Sequence, residues 1–338
     1  MTLLKAVGAL PGTVLRTAVR RARQGPQRPS WTFTFELLMA WMRGLPRSRD
    51  VETLRARRAF MEQVAPAGPA VKQVAVAEVD AGGVPAVWLT PKAGASDTVV
   101  LYFHGGGYVM GSTRSYRGSM AQLAVDSGAR VLGVDYRLAP EHPYPAALED
   151  ALAVWRWLRG TGVEASRVVV AGDSAGGGLT LALLLALVEA GEALPAGALL
   201  LSPWVDLTCA APSHEELAVH DLLEVEELRF WARCYAGKLE PADARLSPLK
   251  ASLRGLPPLA IQVGDAELFR DPVREFAEKA RAEEVSVTLD LGEHLPHVAT
   301  AFGAFFPPAR EAAVRVGEAV RRLAARAGRA QTPAKTAG

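Results

Sequence analysis

The chain has 338 residues, of which 49% are hydrophobic and 22% charged, and a formal net charge of +2. That balance belongs to a globular protein and excludes extended disorder. It also excludes a global basic field of the kind that draws a protein onto nucleic acid.

The charge is unevenly spread. Residues 1–58 carry twelve basic and three acidic side chains (Glu36, Asp50, Glu52), a net of +9, which leaves +2 − 9 = −7 for the remainder. Leu3, Val7, Leu10 and Val14 recur at helical spacing, with Lys5, Arg16 and Arg20 on the opposite side of the wheel. Two readings follow. Residues 1–60 form a helical cap that packs its apolar face on the main domain, or residues 1–23 are a basic amphipathic helix on an anionic membrane surface. Pro11 interrupts the helix and favours the cap. Lys5 is a meagre basic flank and no small-residue cleavage site follows, so a secretory signal is not expected. Trp31–Arg43 is a second apolar, aromatic stretch.

From residue 71 the texture changes. Val71–Val79 and Val84–Leu89 flank Ala81-Gly82-Gly83 and read as a hairpin. Val99–Phe103, Val131–Val134, Val168–Ala171, Ala198–Leu201 and Leu259–Val263 read as buried strands, and Val285–Leu291 as an eighth. Helical patterns fall at about 115–127, 146–159, 175–190, 272–284 and 308–327. Alternating strands and helices predict an α/β fold, a mostly parallel sheet with helices on both faces, mixed by the opening hairpin. Residues 210–250 interrupt the alternation, contain a helical stretch at Val225–Tyr235, and are a candidate second cap portion; 328–338 are expected to fray. No run approaches 18 uninterrupted apolar residues, so no membrane span is expected. Cys209 and Cys234 are too few for a disulfide framework and fit thiols in a reducing, cytoplasmic setting.

The strongest chemical signal is Gly172-Asp173-Ser174-Ala175-Gly176, which satisfies G-x-S-x-G between a predicted strand and a predicted helix. In that context the serine sits on a sharp turn above the carboxyl edge of the sheet, with the helix N-terminus aimed at it. His104-Gly105-Gly106-Gly107 follows the strand Val99–Phe103. Consecutive glycines allow unshielded N–H groups to converge on one oxygen, as a tetrahedral intermediate of acyl transfer requires. Gly105, Gly106 and Ala175 are the expected donors, and His104 is expected to hold the loop by hydrogen bonds.

These two motifs, together with Tyr136-Arg137-Leu138-Ala139-Pro140-Glu141-His142-Pro143-Tyr144-Pro145, resemble the hormone-sensitive lipase family of α/β-hydrolases. The resemblance covers roughly residues 70–325. It implies an α/β-hydrolase fold with a helical cap, no metal or organic cofactor, and hydrolysis of carboxylic esters with short- to medium-chain acyl groups. Residues 61–327 would be the catalytic domain, and the N-terminal 60 would match the family's variable cap.

Chain order in this fold is nucleophile, acid, histidine. Asp265, Glu267 and Asp271 all follow the seventh predicted strand. Asp271-Pro272-Val273 mimics the family's acid signature. Register against the family favours Glu267, because it aligns Phe276-Ala277-Glu278 without a gap and leaves His297 thirty residues on (297 − 267). Asp271 is then free to cap the next helix. Leu295-Pro296-His297 matches the family's histidine motif, so His297 is the expected base and His294 a loop residue. A zinc site on His294 and His297 lacks a third ligand. Ser174, Glu267 and His297 are thus the expected triad.

Tyr108 and Trp204 are candidate substrate contacts, as are Trp31, Phe33, Phe35, Trp41 and Trp231, although each suits an ordinary core better than a substrate contact. The expected partner is a small-molecule ester; a homodimer and peripheral membrane contact stay open. The rivals are a membrane-surface lipase or deacetylase acting on lipid or sterol esters, and a non-catalytic binding protein on the same fold.

Overall fold

The computed structural model describes residues 10–63 and 68–330. Eight strands form one sheet in the order β1-β2-β4-β3-β5-β6-β7-β8. They are β1 (Val74–Asp80), β2 (Pro85–Pro91), β3 (Val99–Phe103), β4 (Arg130–Val134), β5 (Val168–Asp173), β6 (Gly197–Leu201), β7 (Leu259–Gly264) and β8 (Val287–Gly292). β1 and β2 pair antiparallel, as do β2 and β4; every other neighbour is parallel. The expected hairpin and mixed sheet are present. The first strand starts three residues later than its apolar run, because Pro69–Gln73 winds into a 3₁₀ turn with proline at its start.

β3 and β5–β7 are buried on both faces, which is why their sequences are continuous apolar runs rather than alternating ones. Val100 and Tyr102 pack to one side, against α4 (Arg117–Ser127) and α10 (Pro307–Ala330). Leu101 and Phe103 pack to the other, with α5 (Ala146–Gly160), α6 (Ala175–Glu189) and α9 (Arg270–Ala282).

Three helices precede the sheet: α1 (Leu10–Gln24), α2 (Phe33–Arg43) and α3 (Val51–Gln63). The insertion after β6 contributes α7 (Ser213–Glu216) and α8 (Val225–Ala236). α2 puts Phe35 and Met39, with the preceding Trp31, into a cluster with Ala266, Leu295, Ala299, Phe302 and Phe306. Phe35 and Phe306 stack at 4.2 Å.

The orientation of α1 differs from the expected cap helix. Thr13 and Thr17 are buried, while Leu15 is 66% exposed, Val19 41% and Val14 39%. Leu15 and Val19, one turn apart, face solvent, while of the row named from the sequence the structure describes only Leu10, half-buried, and Val14. The cause is electrostatic: Arg20 and Arg21 reach the buried carboxylate of Glu36 at 2.5 and 3.0 Å, and this fixes the rotation of the helix. Pro11 lies in the first described turn of α1. Leu3, Lys5, Val7 and residues 331–338 lie outside the described residues. No helix among the described residues is long and apolar enough to cross a membrane.

Candidate active site

β5 ends at Asp173 and α6 begins at Ala175, so Ser174 is the whole turn between them. It holds φ 51°, ψ −120°, a conformation an L residue keeps only where the surroundings impose it. Its N–H donates to the Leu201 carbonyl at 2.9 Å and its own carbonyl accepts from the Trp204 N–H at 2.9 Å. The strand ends on one side and the loop after β6 on the other thus hold the elbow.

Glu267 follows β7 and His297 follows β8, both on the carboxyl edge of the sheet. His297 Nδ1 lies 2.6 Å from Glu267 Oε2, with Glu267 fully buried. Oε1 accepts from the Gly264 N–H at 2.6 Å and from the Ser202 hydroxyl at 2.7 Å. Phe269 closes edge-on against the imidazole at 4.9 Å. Burial by itself lowers the His297 pKa, but the hydrogen bond and charge of Glu267, with the nearby Asp221 and Asp173, raise it on balance above 6.5. A neutral Nδ1–H donor to Glu267 leaves Nε2 as the acceptor that a general base needs.

The other two acids are engaged elsewhere. Asp265 Oδ1 accepts from the His294 N–H at 2.7 Å. Asp271 lies inside the first turn of α9 rather than capping it; it accepts from the Ser213 N–H at 3.1 Å and pairs with Arg270. His294 belongs to the loop, where its carbonyl accepts from Trp31 Nε1 at 2.7 Å. Among the described residues no three potential metal ligands converge.

The glycine loop departs from expectation at one position. The Gly105 N–H is not free, because it donates to Asp173 Oδ1 at 2.9 Å. A Cβ on Gly105 would stand 2.2 Å from Asp173 Oδ2, so the contact requires glycine. Gly106 and Gly107 take φ 114° and 65°, which glycine adopts without steric cost. Among the described residues nothing accepts from the N–H of Gly106, Gly107 or Ala175, the last being the first residue of a helix. His104 holds the loop from behind: Nδ1 lies 2.7 Å from the Gly105 carbonyl, and the ring stacks on Tyr136 at 4.4 Å.

Asp173 carries a role that sequence patterning alone does not mark. It is fully buried, takes the Tyr102 hydroxyl at 2.7 Å, and has its pKa pushed up to about 6 by burial, against the counter-pull of Tyr102, His297 and the Gly105 N–H. Its position within G-x-S-x-G was the one available signal.

Tyr108 and Trp204 are each 1% exposed and spend their faces on other aromatics: Tyr108 stacks on Tyr235 at 3.7 Å and Trp204 on Phe269 at 5.9 Å. They are walls behind the site rather than open surface. Trp31, Phe35 and Trp231 are buried as well, and Phe33 is exposed.

A family model described as the α/β-hydrolase fold matches residues 100–301. An acetyl-hydrolase of Streptomyces hygroscopicus is 39% identical over 259 residues, 76% of this chain and 84% of that protein. An esterase of Acinetobacter venetianus is 34% identical over 288 residues, 85% and 94% of the two chains. The crystal structure of a hormone-sensitive lipase from a metagenome library superimposes with a TM-score of 0.80 at 38% identity, covering 86% of this chain and 96% of that one.

The chain belongs to the hormone-sensitive lipase family of α/β-hydrolases. It is an enzyme of the carboxylesterase type. Within this hydrolase, the matched segment 100–301 runs from β3 to just past His297, so it contains the glycine loop, the elbow, Glu267 and His297. α1–α3 lie outside it.

Proposed function

We propose that this hydrolase cleaves carboxylic esters of short- to medium-chain acids through Ser174, His297 and Glu267. The observation that carries the reading is the buried 2.6 Å contact between His297 Nδ1 and Glu267, at the same carboxyl edge of the sheet as a serine held in the elbow conformation. Ser174 Oγ attacks the ester carbonyl carbon while His297 Nε2 takes its proton. The carbonyl oxygen becomes an oxyanion facing the N–H groups of Gly106, Gly107 and Ala175. Collapse expels the alcohol, which receives the proton from His297 and leaves an acyl-serine. Water, deprotonated by the same imidazole, then releases the acid and restores Ser174. Glu267 orients the ring and stabilises its charged form without taking the proton.

Ser174→Ala is expected to abolish both turnover and labelling by a fluorophosphonate, with residual rates lower by about 10³-fold or more. Turnover that survives in that variant overturns the triad, and labelling without turnover of any ester favours a binding protein. The acetyl-hydrolase relative makes acetyl esters the first substrates to test. An acyl-chain series of activated esters is expected to fall off beyond about C8; rates that rise with chain length at an oil–water interface would instead mark a lipase.

A second reading draws on α1. The outward pair Leu15 and Val19, with Arg16 and Arg23 exposed beside it, suits an anionic lipid surface, from which lipid or sterol esters would be drawn. Flotation with phosphatidylserine vesicles tests it. Loss of binding in Leu15→Asp is the expected result, and an equal soluble fraction with and without vesicles removes the reading. A change in oligomer size for Leu15→Asp would assign the pair to a homodimer contact.

A further inference from the structure

From the geometry around Glu267 we infer that Ser202 is a positioning residue for the acid–base pair, a fourth member that this chain needs because its acid is a glutamate. The inference rests on the triad reading above.

Glutamate reaches the histidine on a side chain one methylene longer than aspartate, with one more rotor to freeze. Only Oε2 touches His297; the orientation of the carboxylate is set by what holds Oε1. Two donors do so, the Gly264 N–H at 2.6 Å and the Ser202 hydroxyl at 2.7 Å. The backbone donor fixes a distance along β7. The hydroxyl approaches from the end of β6 and fixes the rotation.

Ser202 has a second contact. Its oxygen accepts from the N–H of Val298 at 3.1 Å, the residue directly after the base. One hydroxyl therefore ties the acid to the backbone that carries the histidine, with its proton on Glu267 and a lone pair toward Val298. The side chain is 3% exposed, so no water competes for either bond. The backbone has been bent to put it there. Ser202 holds φ 45° and its N–H donates to the Gln262 carbonyl at 2.7 Å. Leu201, just before it, accepts from the Ser174 N–H, so the same strand end serves nucleophile, acid and base.

The left-handed φ supplies a clean test. Ser202→Ala removes the hydroxyl and keeps the backbone strain; Ser202→Gly removes the hydroxyl and relieves the strain. Both are expected to lower kcat about 10-fold with KM within about 2-fold, as for loss of a hydrogen bond to a charged group. Both are also expected to move the acid limb of kcat/KM upward by about half a pH unit. A carboxylate freed of one donor presents more charge to His297, which also faces Asp221 and Asp173. In a Glu267→Asp background the shorter acid withdraws from Ser202, and adding Ser202→Ala is expected to cost less than about 3-fold more. Rates are normalised to fluorophosphonate-reactive sites, so misfolded protein does not count. Wild-type kcat in both variants overturns the inference. So does a loss in alanine that glycine restores, or an equal loss with the acid limb unmoved. Full activity of Ser174→Ala would instead overturn the triad on which it rests.

Discussion

At the scale of single residues, two buried groups make opposite statements about pH. His297 is held above the ordinary histidine value of 6.5 by Glu267, Asp221 and Asp173, in spite of its burial. In the proposed mechanism the neutral ring is the base, so kcat/KM is expected to fall on the acid side with an apparent pKa above 6.5, read from a rate profile on a substrate without ionisable groups. Asp173 is raised from 3.8 to about 6, chiefly by burial. The folded protein then binds the proton more tightly than the unfolded chain, so this group withdraws stability as pH rises from about 4 to about 6. Melting temperatures of wild type and Asp173→Asn are expected to diverge across that window, the wild type losing ground as pH rises. Parallel curves would show that the carboxyl titrates normally.

The residue scale also shows what a sequence can and cannot carry. Ser174 could be picked out from G-x-S-x-G between a strand and a helix, whereas Glu267 and His297 came from register against the resembled family; the structure puts His297 Nδ1 2.6 Å from Glu267. Ser202 and Asp173 were not legible. Their roles depend on the end of one strand meeting the loop of another, and nothing in Leu201-Ser202-Pro203 announces it. Gly105 was misassigned for the same reason: the run of three glycines is visible, but which amide Asp173 consumes is a matter of register between β3 and β5.

Among the elements, α8 and the segment joining α2 to α3 are held together by one hidden charge. Glu227 is fully buried on α8 and accepts from the Ser48 N–H at 2.7 Å, the Ser48 hydroxyl at 2.8 Å and Arg57 at 2.5 Å, with Arg47 at 3.4 Å. Ser48 in turn takes Trp231 Nε1 at 2.9 Å. Trp231 occupies the space a Cβ on Gly107 would need, 2.5 Å from its ring. Breaking a buried ion pair from one side strands the partner charges and typically costs about 3–5 kcal/mol. Glu227→Ala is expected to destabilise by that order in a denaturant titration and to raise KM more than Glu224→Ala, whose carboxylate is partly exposed. Equal midpoints for the two variants would remove the idea of a buried latch. The helix at Val225–Ala236 was readable from its pattern, but its partner 180 residues earlier was not, since arginines and glutamates pair without a positional code.

Over the whole molecule, the uneven charge has a structural use. The N-terminal segment carries +9 and the rest −7. Arg47 and Arg57 meet Glu227, Arg49 meets Glu224, and Arg58 meets Glu141 at 2.9 Å while also donating to the carbonyls of Val109 and Ala139. Much of the basic excess is spent gripping the sheet domain, and the exposed pairs in it weaken with salt. Composition alone shows the excess but not whether it points inward or out. α1 shows the limit of patterning, because Glu36 claims Arg20 and Arg21 and leaves Leu15 and Val19 facing solvent.

The aromatic seam between α2 and the segment 295–306 has a practical meaning for anyone altering this enzyme. Trp31 donates to the carbonyl of His294, three residues before the proposed general base, and Phe35 lies flat on Phe306. The leading helices are therefore part of the bedding of the imidazole, not a detachable hood. If His297 acts as proposed, trimming them, or grafting in those of another esterase to retune selectivity, is expected to disturb proton transfer at the same stroke, and a chimera that keeps Trp31 and Phe35 is expected to retain more activity than one that replaces them.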